Sequence, residues 1–266
     1  MKTKTFIMVA AVVAMMASGC KKEDPNSNNV IPGATEEVVV DCQGNRYPVV
    51  KIGDQYWMAE NLQCTKYDTE SERAGVELST MSASNGASYD PYYTDGRNSQ
   101  TSYTGDLSDE QRKHLGLLYN WAAAVGLASE AEAKAQTSEF SGDRQGICPN
   151  GWHVPTATEW DILRNFIEGY EGKGEKTAGK YLKTTSGWYL GFNGTDSYGF
   201  AALPAGDAFG NQVLDVGQYT YYYTASPKGV DEYSVYHYSI IDYRDYLQQN
   251  YDQKNNGYSV RCVKNN

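Results

Sequence analysis

"CPNGWHVPTATEWDILRNF", residues 148–166, packs one cysteine, two tryptophans, a histidine and two acids into a single short stretch. Its second half reads as a helix start. Thr156 is followed three residues later by Glu159, the capping-box spacing in which each side chain satisfies a backbone N–H at the other position. Trp160, Leu163 and Ile167 then fall at i, i+3 and i+7, with Phe166 beside them. That spacing puts one apolar stripe on a helix ending near Gly169. Gly151–Val154 reads as a strand or loop leading into it. His153, held between Trp152 and Val154, reads as a packing residue and not as a catalytic base.

Upstream, "EEVVVDCQGNRYPVVKIGDQYWMAENL" (residues 36–62) reads as a three-stranded meander. Val38–Val40, Tyr47–Ile52 and Tyr56–Met58 are the strands, with turns at Gln43–Asn45 and Gly53–Gln55. Residues 68–107 are polar and read as a surface insertion. Leu107–Glu110 looks like a helix start. Leu117, Trp121, Ala124 and Val125 stand at helical spacing, and Ser129 is an N-cap for a helix over Ala128–Ala135. Downstream, "QYTYYYTAS", "EYSVYHYSI" and "GYSVRCVK" read as strands. Eleven of the 23 tyrosines lie between Tyr219 and Tyr258.

The ends of the chain set an address. Lys2 and Lys4 precede an apolar run, Phe6–Met16, that is too short to span a bilayer and suits a signal segment. It closes on Ala17-Ser18-Gly19-Cys20, which resembles a bacterial lipobox. Residues 1–19 are therefore expected to be a lipoprotein signal peptide, with Cys20 as the acylated residue and 20–35 as a flexible tether. The expected location is the outer membrane, held by lipid and facing outward, because Lys21-Lys22-Glu23-Asp24 resembles a surface-export signal. The net charge is −10, and losing two lysines with residues 1–19 takes it to −12. So acidic a body argues against a nucleic-acid partner, which needs a basic face. Cys42, Cys64, Cys148 and Cys262 remain, an even count that in an oxidising compartment reads as two disulfides with three possible pairings. Cys42 and Cys64 flank the meander and would close its ends.

Six stretches carry a resemblance to a known family: "IGDQYWMAENL" (52–62), "LYNWAAA" (118–124), "GICPNGWHVPTATEW" (146–160), "AGKYLKTTSGW" (178–188), "GTDSYGFAALPAG" (194–206) and "GYSVRCVK" (257–264). Their content and order resemble the Fibrobacter succinogenes major paralogous domain, over residues 36–264. The chain departs from it at Tyr223–Ser226, where relatives carry a Trp-Ser-Ser strand. The family looks like a relative of the C-type-lectin-like and formylglycine-generating-enzyme-like folds. The resemblance implies an α+β, C-type-lectin-like domain: twisted, mostly antiparallel strands, two or more helices and long loops. It also implies a Cys148–Cys262 bridge, which leaves Cys42–Cys64 as the second. The five tryptophans lie in the family stretches and are expected in the core.

No motif points to catalysis. His114, His153 and His237 stand in no zinc spacing, and G-x-S-x-G and P-loop patterns are absent. With the cysteines committed to bridges, no reactive thiol pair is expected. No cofactor is expected either. Calcium is left open through Asp207, Asp215, Asp231 and Asp242, although the Glu-Pro-Asn, Gln-Pro-Asp and Trp-Asn-Asp triplets of calcium lectins are absent. Tyr221 and Tyr223, and Tyr236 and Tyr238, alternate along strands, so each pair shares a face. With Tyr243 they are the candidate ligand-binding rings. Exposed, they would stack on sugar or anchor a protein. The expected function is non-catalytic binding of an extracellular glycan. The alternatives are a structural or adhesive component binding another surface protein, and a catalytic formylglycine-generating-enzyme-like member.

Overall fold

A computed structural model describes residues 33–81, 88–95, 107–170, 176–209 and 212–266. Residues 1–32, which hold the expected signal peptide, Cys20 and most of the expected tether, lie outside the described residues, as does part of the 68–107 insertion. In chain order the strands and helices of the first half are β1 (Ala34–Val40), β2 (Arg46–Ile52), β3 (Gln55–Met58), β4 (Ser79–Thr80), β5 (Tyr92–Asp95), α1 (Asp109–Lys113), β6 (Leu117–Tyr119), α2 (Trp121–Val125) and α3 (Glu130–Ala135). The second half has β7 (Trp152–His153), α4 (Ala157–Tyr170), α5 (Ala178–Leu182), β8 (Asp207–Phe209), β9 (Gln212–Leu214), β10 (Tyr219–Pro227), β11 (Ser234–Ile241), β12 (Gln248–Gln253) and β13 (Val263–Lys264).

The expected meander forms β1–β3, and it is extended by the far end of the chain. The sheet order is β1-β2-β3-β13-β7, with Val263 opposite both Trp57 and His153. The Cys148–Cys262 disulfide lies beside this junction. It spans 114 residues, and closing so long a loop stabilises by roughly 4–5 kcal/mol in the chain-entropy model. The other sheets are β10-β11-β12, β4-β5-β6 and β8-β9. Every pairing is antiparallel except β4 with β5, so the chain is a mixed α+β fold.

The opening stretch behaves as its spacing predicts. Thr156 Oγ1 accepts from Glu159 N at 3.2 Å, and Glu159 Oε2 accepts from Thr156 N at 2.8 Å. Trp160, Leu163 and Ile167 are buried, and each contributes about 1.5–3 kcal/mol by leaving water. Phe166 stays partly exposed beside the Tyr198 ring. Trp160 is the hub of the packing: its ring lies 4.7 Å from Trp57, 5.2 Å from Tyr222 and 5.4 Å from Tyr238. Trp57, Trp121, Trp152, Trp160 and Trp188 are all buried.

Two local expectations change. The helical spacing through Leu117–Val125 resolves into a strand and a short helix. Gly116 takes φ +76°, Leu117–Tyr119 pair with β5, and the Asn120 side chain caps α2 by accepting from Ala123 N. Cys42 and Cys64 are free thiols and not a bridge. Their sulfurs lie 3.9 Å apart, and each donates to the Lys66 carbonyl, at 3.3 and 3.0 Å. The shared acceptor and a thiol–thiol contact hold the sulfurs side by side.

Candidate functional site

The sheet β10-β11-β12 decides which tyrosines are free. Tyr222 pairs with Tyr238 across β10 and β11, and both rings face Trp160 of α4. On the opposite face Tyr221, Tyr223 and His237 gather around the Tyr258 ring, at 4.9, 4.8 and 5.0 Å. Both faces of β10 and β11 are therefore covered. Tyr223 and Tyr238 are fully buried, which corrects the expectation that they face a ligand. Tyr238 Oη donates to Asp161 Oδ1 at 2.6 Å and accepts from Gln249 Nε2 at 3.0 Å. Burial, with Asp161 beside it, pushes this phenol well above its ordinary value. Tyr221 is half-buried, stacked between Tyr219 and Tyr258. Tyr236 is half-buried and accepts from Lys228 Nζ at 2.8 Å. Of the five rings, Tyr243 alone is strongly exposed, at 56 %.

Tyr243 belongs to a cleft that the sequence did not single out. One wall is the outer side of α4, carrying Arg164, Asn165 and Glu168. The other is the β11–β12 connection and the start of β12, carrying Arg244, Tyr246, Gln248 and Gln249. The recess between them measures about 550 Å³. That is within the range of small-ligand sites. A second recess of about 560 Å³ adjoins it and shares Lys176, Arg244 and Tyr246, adding Tyr243 and Asp245. Tyr246 is 44 % exposed, so two tyrosines present open ring surface here.

The wall formed by the connection is held rigidly from beneath. Lys183 is buried, and its Nζ donates to the carbonyls of Phe192, Asp242 and Arg244 at 3.0, 2.8 and 3.1 Å. Burial pulls this ammonium below its ordinary pKa, with Asp245 and Asp242 opposing. Gly179 of α5 touches the same connection. A Cβ there would stand 2.4 Å from the Tyr246 carbonyl, so only glycine allows the approach. The backbone of this wall is thus fixed, while Tyr243, Arg244 and Tyr246 stay exposed.

Apart from Asp242 on the connection itself, the catalytic and metal candidates sit elsewhere. His153 is buried, with Nε2 at 2.8 Å from Glu159 and Nδ1 at 2.8 Å from Asn265. Burial alone would lower its pKa, but the bond and charge of Glu159 outweigh burial and raise it. His114 bonds Glu60 at 2.9 Å, on the surface. Asp207 is pushed up to about 7 by burial, then by Asp215 and Asp252. Asp231 closes a turn by accepting from Ser234 and Tyr233, and Asp242 accepts from the Tyr243 amide. Among the described residues no three metal-ligating side chains converge.

Residues 50–264 match the Fibrobacter succinogenes major domain. The chain belongs to that family. The match runs from β2 to β13, so the family's boundaries enclose the Trp160 hub, the Cys148–Cys262 bridge and both walls of the cleft. No curated protein and no solved structure matches the chain. Within this Fibrobacter succinogenes major domain, the signals that the sequence did hold for the cleft were modest. Arg164 and Glu168 share one helix face by their spacing of four. "YRDYLQQNY" (243–251) offers aromatic and amide groups in one run.

Proposed function

We propose that this protein binds an extracellular glycan without catalysis, through the cleft between α4 and the β11–β12 connection. The observation that carries the reading is the lining. Exposed Tyr246 stands beside Gln248, Gln249 and Asn165 on a fixed backbone, and exposed Tyr243 lines the adjoining recess. Aromatic rings cover sugar C–H faces, and side-chain amides pair with ring hydroxyls through both a donor and an acceptor. Anchoring by an acyl group on Cys20 at the outer membrane, facing outward, remains part of the proposal. So does the C-type-lectin-like reading, supported by the pairing of β13 with β3 and β7 beside the disulfide.

A protein partner is the second reading. Tyr233 and Tyr251 are exposed on the neighbouring surface, and Lys134 and Lys228 lie over the two rings. Against a formylglycine-type cysteine chemistry stand the bond joining Cys148 to Cys262 and, for Cys42 and Cys64, expected as a bridge but free, burial that raises both thiols and disfavours the thiolate. The test is a glycan array probed with residues 21–266, wild type beside Tyr246→Ala and Gln249→Ala. Saturable binding that both substitutions weaken at least about tenfold is expected. Binding to no glycan by the folded protein would turn the assignment to a protein partner.

A further inference from the structure

We infer that the glycan this cleft takes is acidic, a uronate-type saccharide whose carboxylate is held by Arg244 and Lys176. The inference rests on the glycan reading above and sharpens it. The body of the protein is strongly acidic, with 33 Asp and Glu against 23 Lys and Arg. The cleft reverses that balance: Arg164, Lys176 and Arg244 line the first recess, against Glu168 alone. With Arg164 paired to Asp161, Lys176 and Arg244 still outnumber Glu168 at this recess, a local reversal of the chain's negative balance that draws anions to that place.

The three cations are not equivalent. Arg164 is ion-paired with Asp161 on its own helix, so its charge is largely spent within the fold. Arg244 and Lys176 line both recesses and have no carboxylate partner among the described residues. The Arg244 guanidinium lies 5.3 Å over the Tyr243 ring, and both residues are exposed. A planar guanidinium fork matches a carboxylate with two parallel bonds, and a lysine adds a point charge. Two acids stand near the pair, Glu168 in the first recess and Asp245 in the second. Asp245 lies 4.0 Å from buried Lys183 Nζ, which already draws on it. The amides of Gln248 and Gln249 line the first recess together with Arg244 and Lys176, and Arg244, Lys176 and Tyr246 are shared by both recesses.

The position of Arg244 is secured by its backbone, because its carbonyl accepts from Lys183 Nζ at 3.1 Å. Removing the guanidinium therefore leaves the connection in place, and Arg244→Gln tests the charge without unfolding the wall.

The experiment is calorimetric titration of the protein with tetrasaccharides of galacturonate, glucuronate and mannuronate, each beside its methyl ester. The ester keeps the sugar and removes the charge. The expected result is at least one acid bound about tenfold more tightly than its ester at low salt, the difference shrinking as salt is raised. Arg244→Gln and Lys176→Gln should each bring that acid's affinity toward the ester's. Equal affinity for acid and ester, with both lost in Tyr246→Ala, would overturn the acidic-ligand inference and leave the glycan reading standing. Binding of none of these, together with saturable array binding to neutral glycans, would overturn it in the same way. Binding to no saccharide at all would sink both.

Discussion

Burial at His237, on the Tyr258 side of β11, holds its imidazole down to about 4, with only Asp252 opposing. A base whose folded pKa lies below its unfolded value binds its proton only on unfolding. Stability is then full above pH 6.5 and falls as the pH drops through 6.5 toward 4, by up to about 3 kcal/mol. His153 has the opposite sign. Its pKa is raised by Glu159, so its contribution is present below its unfolded pKa and is lost as the pH climbs through the folded one. Denaturant unfolding at pH 7 and pH 4.5 should show wild type losing more stability than His237→Phe over that interval. Equal losses would remove His237 as the cause. At this scale the sequence was readable where partners are local. Thr156 and Glu159 find each other within one helical turn. The alternation of Tyr236 and Tyr238 fixed a shared face, but what covers that face arrives from α4, some eighty residues earlier, and no local pattern encodes it.

Elements were legible in proportion to how far their own residues determine them. The meander β1–β3 has strong strand formers and glycine turns, and it forms as expected. β12 was missed because Gln248–Gln253 is rich in glutamine and asparagine, which are poor strand formers; its pairing with β11 imposes the strand. The helix expected across Leu117–Val125 failed for the converse reason, since β5 captures Leu117–Tyr119 before the helix can extend. The contact between α5 and the β11–β12 connection is similarly non-local and sets the cleft wall. Gly179→Ala should force the Tyr246 carbonyl away, cost about 1–3 kcal/mol and raise amide exchange across residues 242–247. Unchanged exchange there would mean that the connection does not depend on this contact.

Over the whole molecule, the two chain regions most distant in sequence share one sheet, with β13 between β3 and β7, and the disulfide beside them. Arg261 ties the same junction. It is fully buried and donates to Asn61 Oδ1 at 2.6 and 3.1 Å and to the Met58 carbonyl at 3.2 Å. Family membership and fold class were legible because six sequence stretches carry them. The cleft was not, because its walls come from α4 and from the β11–β12 connection, and only the closed fold brings them together. The most direct test of the cleft as the binding site is a ¹⁵N NMR titration of residues 21–266 with the strongest glycan from the array. Shifts should concentrate at residues 164–168 and 243–249. Shifts centred instead on Tyr233, Tyr236 and Tyr251, with residues 243–249 unmoved, would contradict it.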